Sequence, residues 1–125
     1  MALGKIKADT LEHSTSGSVD TKFVVEGSAK AFANNTADGT TISKSLNVSS
    51  IDDRATGQVD VNLTNSMSDA TYAINLTVQN ENGNVVFVLA STSATTTAQY
   101  GTGAANTSVS YQDYPVGSMI LGDLA

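Results

Sequence analysis

The 125-residue chain contains no cysteine and no tryptophan, and only one histidine and one proline. Without cysteine it can form neither disulfide bonds nor thiolate metal sites. Its one histidine, His13, follows Asp9 closely and could in principle activate a nucleophile. His13 lies in an aperiodic stretch, however, and a general base must be held by packed structure. We therefore interpret it as a surface residue, and the sequence predicts neither an enzyme nor a cofactor.

Basic residues are also scarce, because six lysines and arginines oppose twelve aspartates and glutamates, a net charge of −6. An acidic chain without a lysine or arginine cluster repels phosphate backbones and anionic lipid, so neither nucleic acid nor a membrane is an expected partner. The longest apolar run, residues 85–90, is far too short to span a bilayer. Asp52, Asp53 and Asp60 lack the ligand spacing of a calcium loop, which favours solvated turn acids over a metal site.

Large core-forming side chains are few, with three phenylalanines and four tyrosines, whereas serine and threonine make up about a quarter of the residues. This composition is typical of β-rich surface and fibre proteins. A chain of this length buries roughly two-thirds of its unfolded surface. A core of valine, isoleucine, leucine and alanine would be thin in so polar a chain, and oligomerisation is the expected remedy because it buries further surface.

Apolar and polar residues alternate twice within residues 56–79. Strands with one buried face show this period of two. Between the two runs, the Asn, Ser and Asp side chains of residues 65–70 favour turns by bonding to nearby backbone. The sequence thus predicts two strands joined as a β-hairpin or as a corner between two sheets. Their buried faces would be formed by Val59, Val61 and Leu63, and by Tyr72, Ile74, Leu76 and Val78.

Further strands are predicted on both sides of this unit. One begins within residues 29–32, and three more span residues 42–51, 108–111 and 116–122. Asn82-Gly83 is typical of two-residue hairpin turns, because both residues tolerate positive φ, so the strands before and after it are expected to pair. Residues 91–107 are rich in Ser, Thr, Ala and Gly, and we expect a long surface loop or short strands around Tyr100.

The strand that follows Asn82-Gly83 is apolar at every position from 85 to 90. A strand with this pattern must be covered on both faces. In a thin sandwich the second cover would come from another subunit. Val86, Phe87 and Val88 are therefore candidate residues of a subunit interface.

The stretch SKSLNVSSIDDRATGQVDVNLTNSMSDATYAI, residues 43–74, resembles a domain near the end of bacteriophage tail fibres and tail-fibre-like proteins, especially of phages of marine bacteria and cyanobacteria. In that family a SLNVSS strand, an acidic turn with glycine, a V.V.L/F strand, an M.DA.Y link and a Tyr-led strand follow in this order. Upstream, KADTLEHSTSGSVDTKFVVEGSAKAF resembles the lead-in of such proteins, and ILGDLA resembles their last strand.

Together with the alternation, the resemblance implies an all-β fold: an antiparallel, jelly-roll-like β-sandwich over residues 29–125, trimeric, with an extended N-terminal arm over residues 1–28. It also implies a virion structural protein, assembled in the host cytoplasm, that forms the tip or knob of a tail fibre. The implied partners are further copies of the chain, other virion proteins and a host-surface glycan. The second interpretation is a capsid decoration protein, because the chain starts at Met1 and is short for a fibre shaft. The third is a free carbohydrate-binding module.

Four residues late in the chain are candidate glycan contacts: Tyr100, Tyr111, Asp113 and Tyr114. They lie among Asn, Asp, Gln and Thr, a composition suited to stacking on a sugar ring and bonding its hydroxyls. The alternative is that one or two of the tyrosines fill the core or a subunit interface.

Overall fold

The computed structural model of the chain describes residue 4 and residues 7–79, 86–91 and 95–125. Within these residues ten strands and one short helix follow one another. In chain order they are β1 (Thr10–His13), β2 (Gly17–Asp20), α1 (Thr21–Gly27), β3 (Ala29–Asn35), β4 (Ile42–Leu46), β5 (Val48–Ala55), β6 (Gln58–Leu63), β7 (Ala73–Val78), β8 (Val86–Ser91), β9 (Gln99–Asn106) and β10 (Val116–Leu121).

Eight of these strands form two four-stranded antiparallel sheets. The first sheet has the order β4-β3-β10-β7 and the second the order β5-β6-β9-β8. The two sheets enclose one core, so the prediction of an all-β antiparallel sandwich is confirmed. A jelly roll also has eight strands in two layers. In this chain, however, each of the hairpins β3–β4, β5–β6 and β8–β9 lies within one sheet.

The core lies between the sheets and is filled by the inward positions of the alternating strands. In β6 the alternation predicted from sequence holds, since Val59, Val61 and Leu63 are buried and their neighbours are not. In β7 the apolar positions are half-buried and the polar ones exposed. The fully buried side chains with the largest volumes are Tyr100, Met67, Ile120, Val61 and Thr102.

The two runs of residues 56–79 form the corner between sheets, not the hairpin. β6 belongs to the second sheet and β7 to the first. The link between them is held in place at Met67. The Met67 N–H donates to the Thr97 carbonyl at 2.8 Å, and Met67 forms an isolated β-bridge with Leu124. The link thus carries the chain from one layer to the other.

The single strand expected over residues 42–51 is instead two strands in different sheets. Asn47 separates β4 from β5 and has a φ of 54°, the left-handed conformation that Asn adopts more readily than most residues. Its side-chain oxygen accepts a hydrogen bond from the Asn65 N–H at 2.8 Å, and its amide donates to the Asn65 carbonyl at 3.1 Å. Asn47 therefore forms a second corner, which the apolar pattern alone did not show.

The hairpin predicted at Asn82-Gly83 is wrong, because β7 and β8 lie in different sheets and each is an edge strand of its own sheet. The turn itself falls within residues 80–85, outside the described residues.

Of the two expectations for residues 91–107, the strand around Tyr100 is confirmed as β9, a central strand paired with β6 and β8, and the surface loop is wrong there. Its Gly, Ala and Thr residues indicated a loop, yet residues 100–105 are all buried. Small side chains suit this position because both faces of β9 are covered. Conversely, the strand expected over residues 108–111 is absent from the described structure, where only a bridge between Tyr111 and Ala105 forms.

The N-terminal segment, residues 7–28, has local structure where an extended arm was expected. β1 and β2 form a hairpin, and α1 follows directly. Thr21 closes this unit, since its N–H donates to the Asp9 carbonyl at 2.8 Å and its hydroxyl to the Ala8 carbonyl at 2.6 Å. The segment leaves large apolar side chains exposed, namely Leu11, Val19, Phe23, Val24 and Val25.

Candidate functional site

Tyr100, predicted as a glycan contact, is a core residue. Its side chain is 0% exposed, and its hydroxyl lies 2.8 Å from Ser118 Oγ in the opposite sheet. No part of Tyr100 can reach a ligand in this fold, so this prediction is wrong and the alternative of a core tyrosine holds. Burial raises the pKa of the Tyr100 hydroxyl, opposed by its hydrogen bond to Ser118.

Tyr111 and Asp113 do lie at the surface, on the loop of residues 107–115 between β9 and β10. Tyr111 is 41% exposed, and its ring lies so close above β9 that a Cβ built on Gly103 would be 3.1 Å from Tyr111 Cε1. The Asp113 carboxylate accepts a hydrogen bond from the Gly57 N–H at 2.6 Å. Tyr114, half-buried, is next along the same loop. The loop is therefore held against the second sheet and presents Tyr111 outward.

Backbone contacts fix this loop further. The Gln112 N–H donates to the Ala104 carbonyl at 3.0 Å, and the Ala104 N–H donates to the Gly57 carbonyl at 2.9 Å. Gly57 has a φ of +66°, and a Cβ there would lie 2.5 Å from the Gln112 oxygen. The turn between β5 and β6 and the loop after β9 thus fit together only because residue 57 is glycine.

Three connections share one end of the sandwich, which we call the distal end. They are the turn of residues 36–41, the turn around Gly57 and the loop of residues 107–115. Val116, which follows that loop, pairs with Asn35 at the end of β3 and with Val78 at the end of β7. The N-terminal segment joins β3 at Ala29, about 20 Å away along a strand of this length.

A depression of about 310 Å³ opens at the distal end of the first sheet, and we call it the Gly117 depression. Gly117 is flanked in register by Asn34 of β3 and Thr77 of β7. A Cβ at Gly117 would lie 2.7 Å from Thr77 Oγ1 and 3.0 Å from Asn34 Oδ1, so a side chain there would fill the space. Its other lining residues are Asn35, Thr36, Ala37, Ser43, Gln79, Pro115 and Val116.

The lining of the Gly117 depression is uncharged and rich in hydrogen-bonding groups. Asn35 is 4% exposed and its Oδ1 has no hydrogen-bond partner, an uncommon state for a buried polar atom. The Asn35 amide donates to the Thr36 carbonyl at 3.0 Å. Among the described residues, the side chains of Asn34, Ser43 and Gln79 have no hydrogen-bond partner either.

One wall of this depression is a turn stabilised by an ionised carboxylate. Asp38 Oδ1 accepts a hydrogen bond from the Thr36 hydroxyl at 2.5 Å and one from the Thr40 N–H at 3.2 Å. The bonds from Thr36 and then Thr40 lower the pKa of Asp38. Since Thr36 and Ala37 line the depression, this turn fixes the wall in place.

The sequence did not reveal the Gly117 depression because its residues come from four strands and three connections. Asn34 and Asn35 both belong to β3, although asparagine favours turns. The only local signal is Gly117, a glycine within the apolar alternation of β10, where glycine often marks a close approach to the backbone.

The three acidic residues considered for calcium lie in β5 and β6 rather than in turns, and two of them are paired there. Asp60 forms an ion pair with Arg54 at 3.2 Å, and Asp52 accepts a hydrogen bond from the Asn62 amide at 2.7 Å. No group of three metal-ligating side chains occurs in the part of the chain that the structure describes. The described helix, α1, is not long and apolar enough to cross a membrane.

Alternate residues of β8, the predicted interface strand, lie on opposite faces of the second sheet. Val88 pairs with the buried Ala104, which places it on the inner face together with Val86, and both are half-buried. Leu89 occupies an outward position and is 41% exposed. The side chain of Phe87 lies outside the described part of the structure. A partner subunit at β8 would therefore contact the face of Leu89 and not that of Val86 and Val88.

Comparison of the chain with family models, with curated proteins and with solved structures finds no significant match.

Proposed function

We propose that this chain is the tip or knob domain of a bacteriophage tail fibre, a virion structural protein that attaches to a glycan on the host surface. The proposal rests on the resemblance of residues 43–74 to such domains. One structural observation carries it further: the N-terminal segment and the distal end lie at opposite ends of β3. A tip domain needs this polarity, with attachment to the fibre at one end and a free surface at the other.

The distal end has the properties of a recognition surface. Its loops are held on a rigid sheet scaffold, the arrangement in which proteins commonly place binding residues. Asp113 fixes the loop of residues 107–115 to Gly57, and Tyr111 remains 41% exposed beside it. Tyr111, Asp113 and Tyr114 are thus the remaining candidate contacts after the loss of Tyr100 to the core.

The N-terminal segment has the properties of an attachment surface. It exposes Phe23 at 58% and Val25 at 60%, together with Leu11 and Val19 on the neighbouring hairpin. A cluster of exposed large apolar side chains on a small unit favours contact with another protein. In this proposal its partner is another virion protein.

The test is adsorption of fluorescently labelled protein to a panel of marine bacterial and cyanobacterial strains. We expect the wild type to adsorb to at least one strain, and the distal variant Tyr111→Ala/Tyr114→Ala to lose most of that adsorption. The matched control is Phe23→Ser/Val25→Ser in the N-terminal segment, which should adsorb as the wild type does. Circular dichroism must show that both variants are folded.

A capsid decoration protein is the second candidate, and the same exposed apolar segment favours it. In that case the wild type would bind undecorated phage capsids and no cell. Phe23→Ser/Val25→Ser would abolish capsid binding, and Tyr111→Ala/Tyr114→Ala would leave it unchanged. Adsorption to cells that the distal variant retains in full would count against the tip.

A further inference from the structure

We propose that the Gly117 depression is a binding site for a neutral, hydroxyl-rich ligand of about the size of one sugar ring. This inference rests on the proposed function in one respect, since it gives host-surface attachment a ligand class and a place.

The first step is the surplus of hydrogen-bonding capacity. The side chains of Asn34, Ser43 and Gln79 line the depression, are exposed and have no hydrogen-bond partner in the described part of the chain. These three residues offer donors and acceptors in one concave space, as sites for hydroxylated ligands require. Asn35 also lines the depression, but its Oδ1 is closed to the surface and does not contribute.

The second step is charge. None of the residues that line the Gly117 depression is acidic or basic. An anionic or cationic ligand would be desolvated there without a countercharge, which is costly. Neutral hydroxyl groups are both donors and acceptors, and they suit a lining of amides and hydroxyls.

The third step is shape. Ala37 and Pro115 supply small apolar surface beside the polar groups, against which the C–H face of a sugar ring can pack. Gly117 keeps the space open, because a Cβ there would lie 2.7 Å from Thr77 Oγ1. A volume of about 310 Å³ is at the lower end of ligand sites and matches a single ring.

The position on the sheet argues against an extended peptide as the ligand. Peptides that bind sheets add a strand along an exposed edge. The Gly117 depression crosses the face of three paired strands, at Asn34, Gly117 and Thr77, whose backbones are engaged with one another. Its apolar residues are too small to form a pocket for a large anchoring side chain.

The experiment is a titration of isotope-labelled full-length protein with the methyl glycosides of glucose, galactose, mannose and N-acetylglucosamine, followed by NMR. At least one glycoside should shift the side-chain amide signals of Asn34 and Gln79 and the backbone amide of Gly117, saturably, with a Kd on the order of millimolar. Sulfate, an anion, should shift none of them.

Two variants test the site. Gly117→Ala, which fills the depression, and Gln79→Ala, which removes an exposed side chain, should each weaken binding about tenfold or more. Asn75→Ala is the matched control, because Asn75 is exposed on the neighbouring β7 position outside the lining, and it should bind as the wild type does. If Gly117→Ala does not fold, Gln79→Ala decides alone.

The two proposals fail separately. If no glycoside shifts these signals up to about 100 mM, or if Gln79→Ala binds like Asn75→Ala, the ligand site is overturned. Cell adsorption that depends on Tyr111 and Tyr114 would then still support the tip. If a glycoside binds at the depression while the protein adsorbs to no cell, the site stands and the tip is rejected.

Discussion

At the scale of the residue, Tyr100 shows why exposure could not be judged from composition. The residues next to Tyr100 in sequence are polar or small, yet the Tyr100 ring points from β9 into the core. There the Tyr100 hydroxyl lies within hydrogen-bond distance of Ser118 in the opposite sheet. Ser118 in turn donates to the Ala33 carbonyl at 3.3 Å. A buried polar pair of this kind joins the two sheets and has its hydrogen bonds satisfied.

Tyr100→Phe should lower the free energy of unfolding by about 1 kcal/mol, because it deletes the 2.8 Å bond to Ser118 and keeps the ring. Urea denaturation measures this change. Tyr111→Phe is the control and should have no measurable effect, since Tyr111 is 41% exposed. Equal stability of Tyr100→Phe and the wild type would mean that the two hydroxyls are not bonded in solution.

The pKa of Tyr72 is raised to about 12 from an ordinary value of 10.0, first by burial and second by the neighbouring Tyr100. Its hydroxyl lies 2.7 Å from the Gln99 carbonyl oxygen and 2.8 Å from that of Thr96, so an ionised Tyr72 would face two acceptors. These contacts tie the start of β7 to the second sheet only while the hydroxyl keeps its proton.

The raised pKa of Tyr72 predicts how stability depends on pH. The unfolded chain releases this proton near pH 10 and the folded chain only near pH 12. The contribution to the free energy of unfolding is therefore complete below pH 10 and is lost as the pH rises toward 12. Urea denaturation across this range should show the decline, and Tyr72→Phe should show a smaller one. The same decline in both proteins would contradict the assignment.

At the scale of the element, the turn around Gly57 decides whether the loop of residues 107–115 can pack on the sheet. Gly57→Ala adds a Cβ within 2.8 Å of three backbone atoms, of Gln112 and Ala104, and must also adopt a φ of +66°. We expect a loss of roughly 2 kcal/mol or more in the free energy of unfolding.

Gly17→Ala is the matched control for this prediction. Gly17 also has a positive φ, +88°, but nothing lies within 4 Å of its Cβ position. Gly17→Ala should therefore lower the free energy of unfolding by about 1 kcal/mol, from backbone strain alone. The difference in free energy of unfolding between the two variants, measured by thermal or denaturant unfolding, gives the cost of the steric contacts at residue 57. If both variants lose the same stability, the loop does not pack against Gly57.

At the scale of the whole molecule, the exposed apolar face of β8 bears on oligomerisation. Light scattering should give a mass about three times the 12.8 kDa of the chain. Leu89→Lys places a charge at an outward position of β8 and should give a smaller mass than the wild type. Val109→Lys is the control, because Val109 is 76% exposed on a distal loop and should leave the mass unchanged. A wild type that is monomeric at micromolar concentration would rule out the trimer.

The sequence by itself determined the all-β class and the strands β6, β7 and β10. In each of these the alternation of apolar and polar residues is local, because successive side chains of a strand point to opposite faces. Local periodicity is enough to predict a strand wherever one of its faces is buried and the other is exposed to solvent.

Only the tertiary structure decided which strands are neighbours and what lies at the distal end. β9 carries small residues because the loop after it folds back and places Tyr111 on one face, while the opposite sheet covers the other face. The Gly117 depression exists because Asn34, Gly117 and Thr77 meet across three strands. Pairing of distant strands depends on the chain closing long loops and on the fit of faces that no local pattern encodes.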